Sequence, residues 1–332
     1  MRRARLAWCF AAGLVAALVA GPGCAQVLAP ADDAPLQATG TVERWLATPA
    51  APLQPRRVDV WLPPSYAQSP RRRYPVLYMH DGQNLFDPGI AFTGSDWDID
   101  GEMTRLVARG EVREAIVVGV WNTSDRFAEY MPQAAVTTTP VDSGIEGRPL
   151  LAAEALRGDA YLRFLVDALK PEIDRRYRTR PGRDDTFVMG SSMGGLISLY
   201  AIARYPATFG GAAALSTHWP ACGGCMIDWL AAHLPSRRSH RLYFDFGTAT
   251  LDARYPPFQA RMDTALSRAG WRQGRSWRTR RFEGAEHNEA AWRARVAHPL
   301  RFLLAPADGR AAARAPDGHP PLEHAAVQHS RR

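Results

Sequence analysis

The sequence contains very little lysine and cysteine, and its apolar runs are short. Lys170 is the only lysine among 332 residues, so its basic character comes from arginine and indicates a compositional bias rather than a phosphate-binding design. The N-terminal apolar run, residues 6–20, is too short to span a bilayer comfortably as a permanent helix. Hydrophobic residues make up 46% and charged residues 22% of the chain, which excludes a mainly disordered or collagen-like protein.

Four cysteines limit the possible metal and redox chemistry. Cys9 and Cys24 lie near the N-terminus, which leaves Cys222 and Cys225 in the rest of the chain. Two cysteines exclude a four-cysteine zinc site. In an oxidising compartment the Cys-Gly-Gly-Cys spacing favours a local disulfide that pins a loop. The alternatives are two free thiols or a redox motif, and residues 217–220 are not typical of the thioredoxin-like setting that a redox motif needs.

The N-terminus has the pattern of an export signal. Arginines precede the apolar run, and Gly21-Pro22-Gly23 ends it just before the small residues of a cleavage site around Cys24. We therefore expect a secretory signal peptide at residues 1–25, a linker at 26–36 and a periplasmic or secreted protein with no membrane association beyond export. The alternative is lipidation of Cys24, to which the preceding Pro22 is a poor match.

The net charge of +8 is the most unusual feature of the composition. The predicted signal removes three arginines, and residues 305–332, which we expect to be a disordered tail, carry four arginines against three acids. About +4 remains on the body of the chain. We see no strong basic patch with a nucleic-acid motif and expect no nucleic-acid partner.

Hydrophobic periodicity predicts strands that alternate with helices. The predicted strands are residues 40–45, 57–62, 74–79, 115–121, 186–189, 211–215, 241–246 and 276–282. The predicted helices are residues 98–108, 159–177, 193–204, 256–269 and 289–303. This order indicates an α/β fold with a mostly parallel central sheet and helices on both faces, in one domain at residues 37–304.

A nucleophile motif lies between the strand at 186–189 and the helix at 193–204. Gly190-Ser191-Ser192-Met193-Gly194 fits G-x-S-x-G, in which a tight strand-to-helix turn exposes the serine above the sheet. Only Ser192 has both glycines at the required spacing, so it is preferred over Ser191. A glycine-rich packing turn is the structural alternative.

A serine nucleophile needs a base, an acid and oxyanion donors. His287 precedes the last predicted helix and is the expected base. The acid should follow the strand at 241–246, where Asp252 is favoured over Asp245. The backbone N–H groups of Met193 and Gln83 are the expected oxyanion donors.

These motifs resemble the Putative esterase family of α/β hydrolases, which includes esterase D, carbohydrate esterases of family one, siderophore esterases and mycolyltransferases. The resemblance rests on the segments at 74–87, 95–100, 126–132, 190–195, 214–220, 243–248 and 284–292. It implies the α/β-hydrolase fold, Ser192 as nucleophile, His287 as base, an acid on the loop after residues 243–248, and an oxyanion hole from the Gln83 and Met193 amides. The Cys222–Cys225 segment is not part of the family pattern.

The expected activity is that of a serine esterase without metal or organic cofactor. Its substrate is a small-molecule or polysaccharide ester, with feruloyl or acetyl polysaccharides, siderophore lactones and small esters all compatible. Trp97, His218 and Trp219 are candidates for the substrate pocket, although tryptophan equally often lies in a core. The alternatives are an acyltransferase, which shares this machinery, and a non-catalytic binding module. The sequence does not specify an oligomeric state.

Overall fold

The computed structural model describes residues 39–137 and 139–306. The predicted signal peptide with Cys24, the linker and nearly all of the predicted tail therefore lie outside the described residues. Within the described ranges, no helix combines the length and the apolar character needed to cross a membrane.

The described chain is built on an eight-stranded sheet. Its strands are β1 (Thr41–Thr48), β2 (Arg56–Leu62), β3 (Val76–His80), β4 (Ile116–Val120), β5 (Thr186–Ser191), β6 (Gly211–Leu215), β7 (Arg241–Phe246) and β8 (Trp277–Arg281). Their order across the sheet is β1-β2-β4-β3-β5-β6-β7-β8. The pairs from β4 to β8 are parallel, whereas β1 and β2 pair in antiparallel fashion at one edge.

Helices cover both faces of this sheet. They are α1 (Ser65–Gln68), α2 (Ile99–Ala108), α3 (Arg126–Tyr130), α4 (Gly158–Arg163), α5 (Lys170–Arg176), α6 (Met193–Arg204), α7 (Cys225–Ala232), α8 (Pro256–Arg268), α9 (Glu289–Arg293) and α10 (Ala297–Leu303). A π-helical segment, Phe164–Leu169, joins α4 to α5, and Pro171 lies in the first turn of α5.

Strand β3 shows how the sequence produces two cores. Successive side chains of a strand point to opposite faces, and all five residues of β3 are buried. Val76 and Tyr78 pack on one face together with α4 to α8. Leu77 and Met79 pack on the other face together with α2 and α10. The expected α/β arrangement, a mostly parallel sheet between two helical layers, is confirmed.

Two predicted segments differ from the structure. The predicted helix at 289–303 is two helices, α9 and α10, because the chain turns at residues 294–296. Pro299 lies in the first turn of α10, where its missing N–H costs no helical hydrogen bond. The stretch between β6 and β7, for which no helix was predicted, contains α7, whose Met226, Ile227 and Leu230 are buried against the first core.

Candidate active site

Ser192 lies at a sharp turn between β5 and α6. Its φ of 55° and ψ of −122° fall in a strained region for a residue with a side chain. Ser192 is partly exposed, whereas Ser191 before it is buried. A Cβ atom at Gly190 would lie 2.8 Å from the backbone of Gly194, so only glycine fits there. The turn therefore presents Ser192 rather than Ser191 at the carboxyl edge of the sheet.

The loop after β3 packs against the same turn. A Cβ atom at Gly194 would be 3.4 Å from His80 and from Asp81, which places this loop beside the start of α6. Gln83 lies in the short helical turn Gly82–Asn84 of this loop. The N–H of Met193 opens α6 and is one of the amides that find no acceptor within a helix. The two amides predicted as oxyanion donors thus belong to adjoining segments.

Asp81 in this loop is engaged in structural contacts. Its carboxylate accepts two hydrogen bonds from Arg126, both 2.7 Å long, and one from Asn122 at 2.6 Å. Burial alone would raise the pKa of Asp81, but the Arg126 charge together with the hydrogen bonds from Arg126 and Asn122 lowers it overall. This ion pair fixes an Asp81 backbone with a φ of 58°. Asp81 therefore shapes the loop.

Asp252 and His287 are in direct contact, with Asp252 Oδ1 2.5 Å from His287 Nδ1. Asp252 is wholly buried, on the segment that follows β7. The loop before His287 is held to the same segment, because Thr248 and Ala249 donate backbone hydrogen bonds to Ala285. The other predicted acid, Asp245, lies inside β7 and accepts a hydrogen bond of 3.0 Å from Arg295 instead.

Ser216 is a site residue that the sequence analysis did not single out. It follows β6 directly and donates a 2.5 Å hydrogen bond to Asp252 Oδ2, which also accepts 2.6 Å from the Gly247 N–H. The Ser216 hydroxyl in turn accepts from Trp292 and Arg295 at 3.0 Å and 2.7 Å. The sequence feature that could have identified Ser216 is its position directly after β6, the strand that pairs with β5.

Burial raises the pKa of Asp245 to about 6, although Arg295 opposes this shift. The buried group formed by Asp245, Arg295 and Ser216 supports the Asp252 carboxylate from behind, on the side away from His287. The structure thus separates the two aspartates that the sequence left as alternatives. Asp252 contacts the histidine, and Asp245 pairs with an arginine.

Tyr255 lies beside both the nucleophile and the base. Burial raises the pKa of the Tyr255 phenol, and the nearby Ser192 side chain opposes this shift. The Tyr255 ring stands edge-on to the His287 ring, with centroids 5.7 Å apart. Among the hydrogen bonds of the described residues, none joins Ser192 directly to His287; catalytic hydrogen bonds are often long before substrate binds. Tyr255 was also not singled out from the sequence.

His218 lies behind Tyr255 and is fully buried. Its Nδ1 is 2.8 Å from the Tyr255 hydroxyl and its Nε2 is 2.7 Å from the carbonyl oxygen of Ser143. Burial lowers the pKa of His218 to about 4, so the ring is neutral near pH 7. His218 therefore supports Tyr255 from the interior and presents no surface to a substrate pocket.

Trp97 and Trp219 are core residues in the structure. Trp97 is 3% exposed and packs on Trp292, with ring centroids 5.6 Å apart. Trp219 is 1% exposed and donates to Gln259 at 2.9 Å. The structure thus places both tryptophans in the core rather than in the wall of a substrate pocket.

Cys222 and Cys225 are joined by a disulfide, with Cα atoms 5.5 Å apart. The bridge encloses a turn with positive φ at Cys222 and Gly223, just before α7. The Cys222 N–H donates 2.8 Å to the Asp142 carbonyl, which attaches this turn to the segment beside Ser143. The disulfide thus lies close to the Ser143 segment, which contacts His218 from the interior, and not at the nucleophile.

An exposed aromatic residue stands on the loop between β3 and α2. Phe92 is 86% exposed, an unusual position for so apolar a side chain. Its N–H donates 2.9 Å to Asn84, and the neighbouring Thr93 donates 2.7 Å to Glu289. Glu289 is two residues after His287, so these bonds fasten the Phe92 loop to the segment that carries the histidine.

Comparison with curated proteins identifies relatives of partial length. The chain is 27% identical over 165 residues to the uncharacterized protein YbbA of Bacillus subtilis (strain 168), covering 49% of this chain and 58% of that protein. It is 25% identical over 159 residues to an endo-1,4-β-xylanase/feruloyl esterase of Xylanibacter ruminicola, covering 46% of this chain and 18% of that protein. The chain therefore spans less than two thirds of the length of either relative.

Solved structures share the fold at low sequence identity. A ferulic acid esterase superposes with a TM-score of 0.60 and 20% identity, covering 80% of this chain and 98% of that one. The enterobactin esterase of Shigella flexneri superposes with a TM-score of 0.57 and 19% identity, covering 80% and 60%. The family model described as Putative esterase matches residues 50–303, which is most of the chain. With the fold and this match in agreement, the chain belongs to the Putative esterase family.

Proposed function

We propose that this chain is a serine-dependent carboxylic ester hydrolase with Ser192, His287 and Asp252 as its catalytic triad. The observation that carries the proposal is the 2.5 Å contact between His287 Nδ1 and the buried Asp252 carboxylate, on loops that end beside the strained Ser192 turn. A carboxylate at Nδ1 leaves Nε2 as the ring nitrogen able to accept the serine proton.

In the proposed reaction, Ser192 Oγ attacks the ester carbonyl carbon while its proton passes to His287 Nε2. Asp252 stabilises the resulting imidazolium, and the N–H groups of Gln83 and Met193 stabilise the tetrahedral oxyanion. The intermediate collapses when His287 protonates the departing alcohol, which leaves an acyl-enzyme. Water then attacks the acyl carbon with His287 as base and releases the acid and Ser192.

Tyr255 has a positioning role in this proposal. Its hydroxyl lies near the Ser192 side chain, and its ring packs edge-on against His287. Because His218 supports this hydroxyl from the interior, Tyr255 is held in place before substrate arrives. Rotation of the Ser192 side chain towards His287 Nε2 would then accompany substrate binding.

For the substrate, we propose an ester with an aromatic acyl group on a polysaccharide. Phe92 offers an exposed apolar face on a loop fastened to the histidine segment, and such a face suits an aromatic ring. The names of two relatives, a xylanase/feruloyl esterase and a ferulic acid esterase, point the same way. We also propose that residues 1–25 direct export and that 37–304 form one catalytic domain, on the sequence features given above.

The proposal is tested by hydrolysis of p-nitrophenyl acetate and methyl ferulate. We expect turnover of both by the wild type, with a loss of at least about a thousandfold in Ser192→Ala. The matched control is Ser191→Ala, which removes a neighbouring buried hydroxyl and should retain activity. Equal turnover by the wild type and Ser192→Ala would refute the mechanism.

A further inference from the structure

A wide cavity lies at the edge of the sheet opposite the candidate active site. Its volume is about 1310 Å³, and Gly210, Arg241 and Ser276, at the amino ends of β6, β7 and β8, form part of its lining. Ser192, Ser216 and the Asp252 segment follow the carboxyl ends of β5, β6 and β7. Since β6 has five residues, the two sites are separated by about 17 Å of strand. We call this cavity the basic groove.

The basic groove concentrates positive charge. Nine arginines line it against two acids, Glu111 and Asp184. Both acids are already paired, Glu111 with Arg301 at 2.5 Å and Asp184 with Arg183 at 2.8 Å. Each of the two acids thus already has an arginine partner within ion-pair distance.

Four of these arginines are exposed at the groove. They are Arg237, Arg238, Arg272 and Arg275. In the part of the chain that the structure describes, none of the four guanidinium groups has a carboxylate within ion-pair distance. Deeper in the groove, burial and, to a smaller extent, the neighbouring Arg113 lower the pKa of Arg241, although Asp184 and Asp185 oppose this shift. Such a concentration of cations attracts an anionic ligand.

The basic groove is not evident from the sequence, in which we saw no strong basic patch with a nucleic-acid motif, because its arginines are scattered along the chain. They come from residues 183, 237–241, 272–280 and 301, and no run among them is long enough to stand out. The fold gathers them where the loops before β6, β7 and β8 meet. Their excess of seven positive charges over the two acids compares with +8 for the whole chain.

The shape and chemistry of the basic groove favour one class of ligand. Its volume exceeds the roughly 300–1,000 Å³ that is usual for small-molecule sites, which suits a segment of a polymer. A concave surface does not match a flat bilayer. Single-stranded nucleic acid needs aromatic platforms for its bases, and Phe302 is the one Phe, Tyr or Trp among the described lining residues. Arginine forks, in contrast, bind carboxylates in bidentate fashion.

We propose that the basic groove binds a segment of an acidic polysaccharide through the carboxylates of its uronate residues. Binding is non-covalent and does not depend on Ser192. For its consequence the inference rests on the proposed function: a polymer held in the groove keeps its ester groups near the enzyme, which lowers KM for polymeric esters and leaves small esters unaffected.

Binding of polygalacturonate by the full-length protein tests this inference, with neutral arabinoxylan as the comparison polymer. Isothermal titration is carried out at low and at high salt, because exposed charge contacts weaken as salt screens them. The groove variant is Arg238→Glu/Arg275→Glu. The matched control is Arg71→Glu/Arg163→Glu, which reverses two exposed arginines outside the groove lining.

We expect polygalacturonate to bind the wild type and the control alike, and the groove variant at least about tenfold more weakly. The proposal would be overturned if the wild type did not bind polygalacturonate, or if the control variant bound it as weakly as the groove variant. It would also be overturned if single-stranded DNA or anionic phosphatidylglycerol vesicles bound more tightly through the same arginines. Turnover of p-nitrophenyl acetate is measured on every variant. If the wild type hydrolyses p-nitrophenyl acetate but does not bind polygalacturonate, the groove proposal is refuted and the proposed function stands. If it binds polygalacturonate but shows no turnover, the proposed function is refuted and the groove proposal stands.

Discussion

Asp252 Oδ1 lies 2.5 Å from His287 Nδ1, while Asp252 Oδ2 accepts hydrogen bonds from Ser216 and the Gly247 amide. The two oxygens of the carboxylate thus have different roles, because one faces the imidazole and the other is held by the protein. This arrangement fixes the orientation of the ring and favours its charged form when the ring accepts a proton.

The two candidate acids can be distinguished by paired variants. Asp252→Asn removes the charge beside His287, and we expect kcat for p-nitrophenyl acetate to fall by about a thousandfold or more, on the order seen for triad acids. Asp245→Asn removes the nearer carboxylate of the buried Arg295, whose other carboxylate, on Asp252, is 3.8 Å away. It should lower the free energy of unfolding by about 3 kcal/mol while kcat per folded molecule falls little.

The measurements are steady-state kinetics on protein whose folded fraction is known from circular dichroism, together with urea unfolding. Loss of turnover in Asp245→Asn with retention in Asp252→Asn would reverse the assignment of the acid.

Ser216 is expected to act as a positioning residue. Ser216→Ala removes the hydroxyl that holds Asp252 Oδ2 and that connects it to Trp292 and Arg295. We expect kcat to fall about tenfold with KM nearly unchanged, because the carboxylate loses orientation but the substrate contacts remain. Ser216→Thr keeps a hydroxyl and should retain more of the wild-type kcat than Ser216→Cys, because a thiol is a weak hydrogen-bond donor.

His218 is expected to make stability depend on pH. Burial lowers its pKa to about 4 from 6.5, so the unfolded chain takes up a proton more readily than the folded protein. The contribution of the neutral ring is present above pH 6.5 and is lost as the pH falls towards 4. The size of the loss is about 3 kcal/mol.

Urea unfolding of the wild type and of His218→Gln between about pH 7.5 and pH 4 measures this effect. The glutamine variant should start less stable and lose less stability over the range. Parallel curves for the two proteins would show that another group is responsible.

Phe92 is expected to contribute to the recognition of aromatic esters. Phe92→Ala removes an exposed ring and no core packing, so stability should stay within about 0.5 kcal/mol of the wild type. We expect KM for methyl ferulate to rise about five- to tenfold, the value of one aromatic contact, with KM for p-nitrophenyl acetate little changed. The matched control is Leu150→Ala, which truncates another exposed apolar side chain. An unchanged KM for methyl ferulate would remove Phe92 from the binding site.

The nucleophile turn was the most predictable part of the fold. Helix α6 begins at Met193 and ends at Arg204, as expected, because the two glycines around Ser192 admit one tight turn there. The central strands were equally clear, since a strand buried on both faces, such as β3, is a continuous apolar run. Local sequence is sufficient for features of this kind.

Features that depend on tertiary packing were less predictable. Nothing local distinguishes a core tryptophan from one in a pocket wall, so the burial of Trp97 and Trp219 emerged only from the fold. Ser216 contacts Asp252 across 36 positions of the sequence, and Tyr255 lies near Ser192 across 63, and no local spacing predicts either approach. The turn between α9 and α10 was hidden because both helices continue the same periodicity.

Covalent labelling with a fluorophosphonate, followed by peptide mass spectrometry, tests the central claim most directly. This reagent reacts with an activated serine and does not require the natural substrate. The account predicts one adduct, on Ser192, that disappears in Ser192→Ala, persists in Ser191→Ala and forms at least about a hundredfold more slowly in His287→Gln. A folded wild-type protein without an adduct, or an adduct that persists in Ser192→Ala, would contradict it.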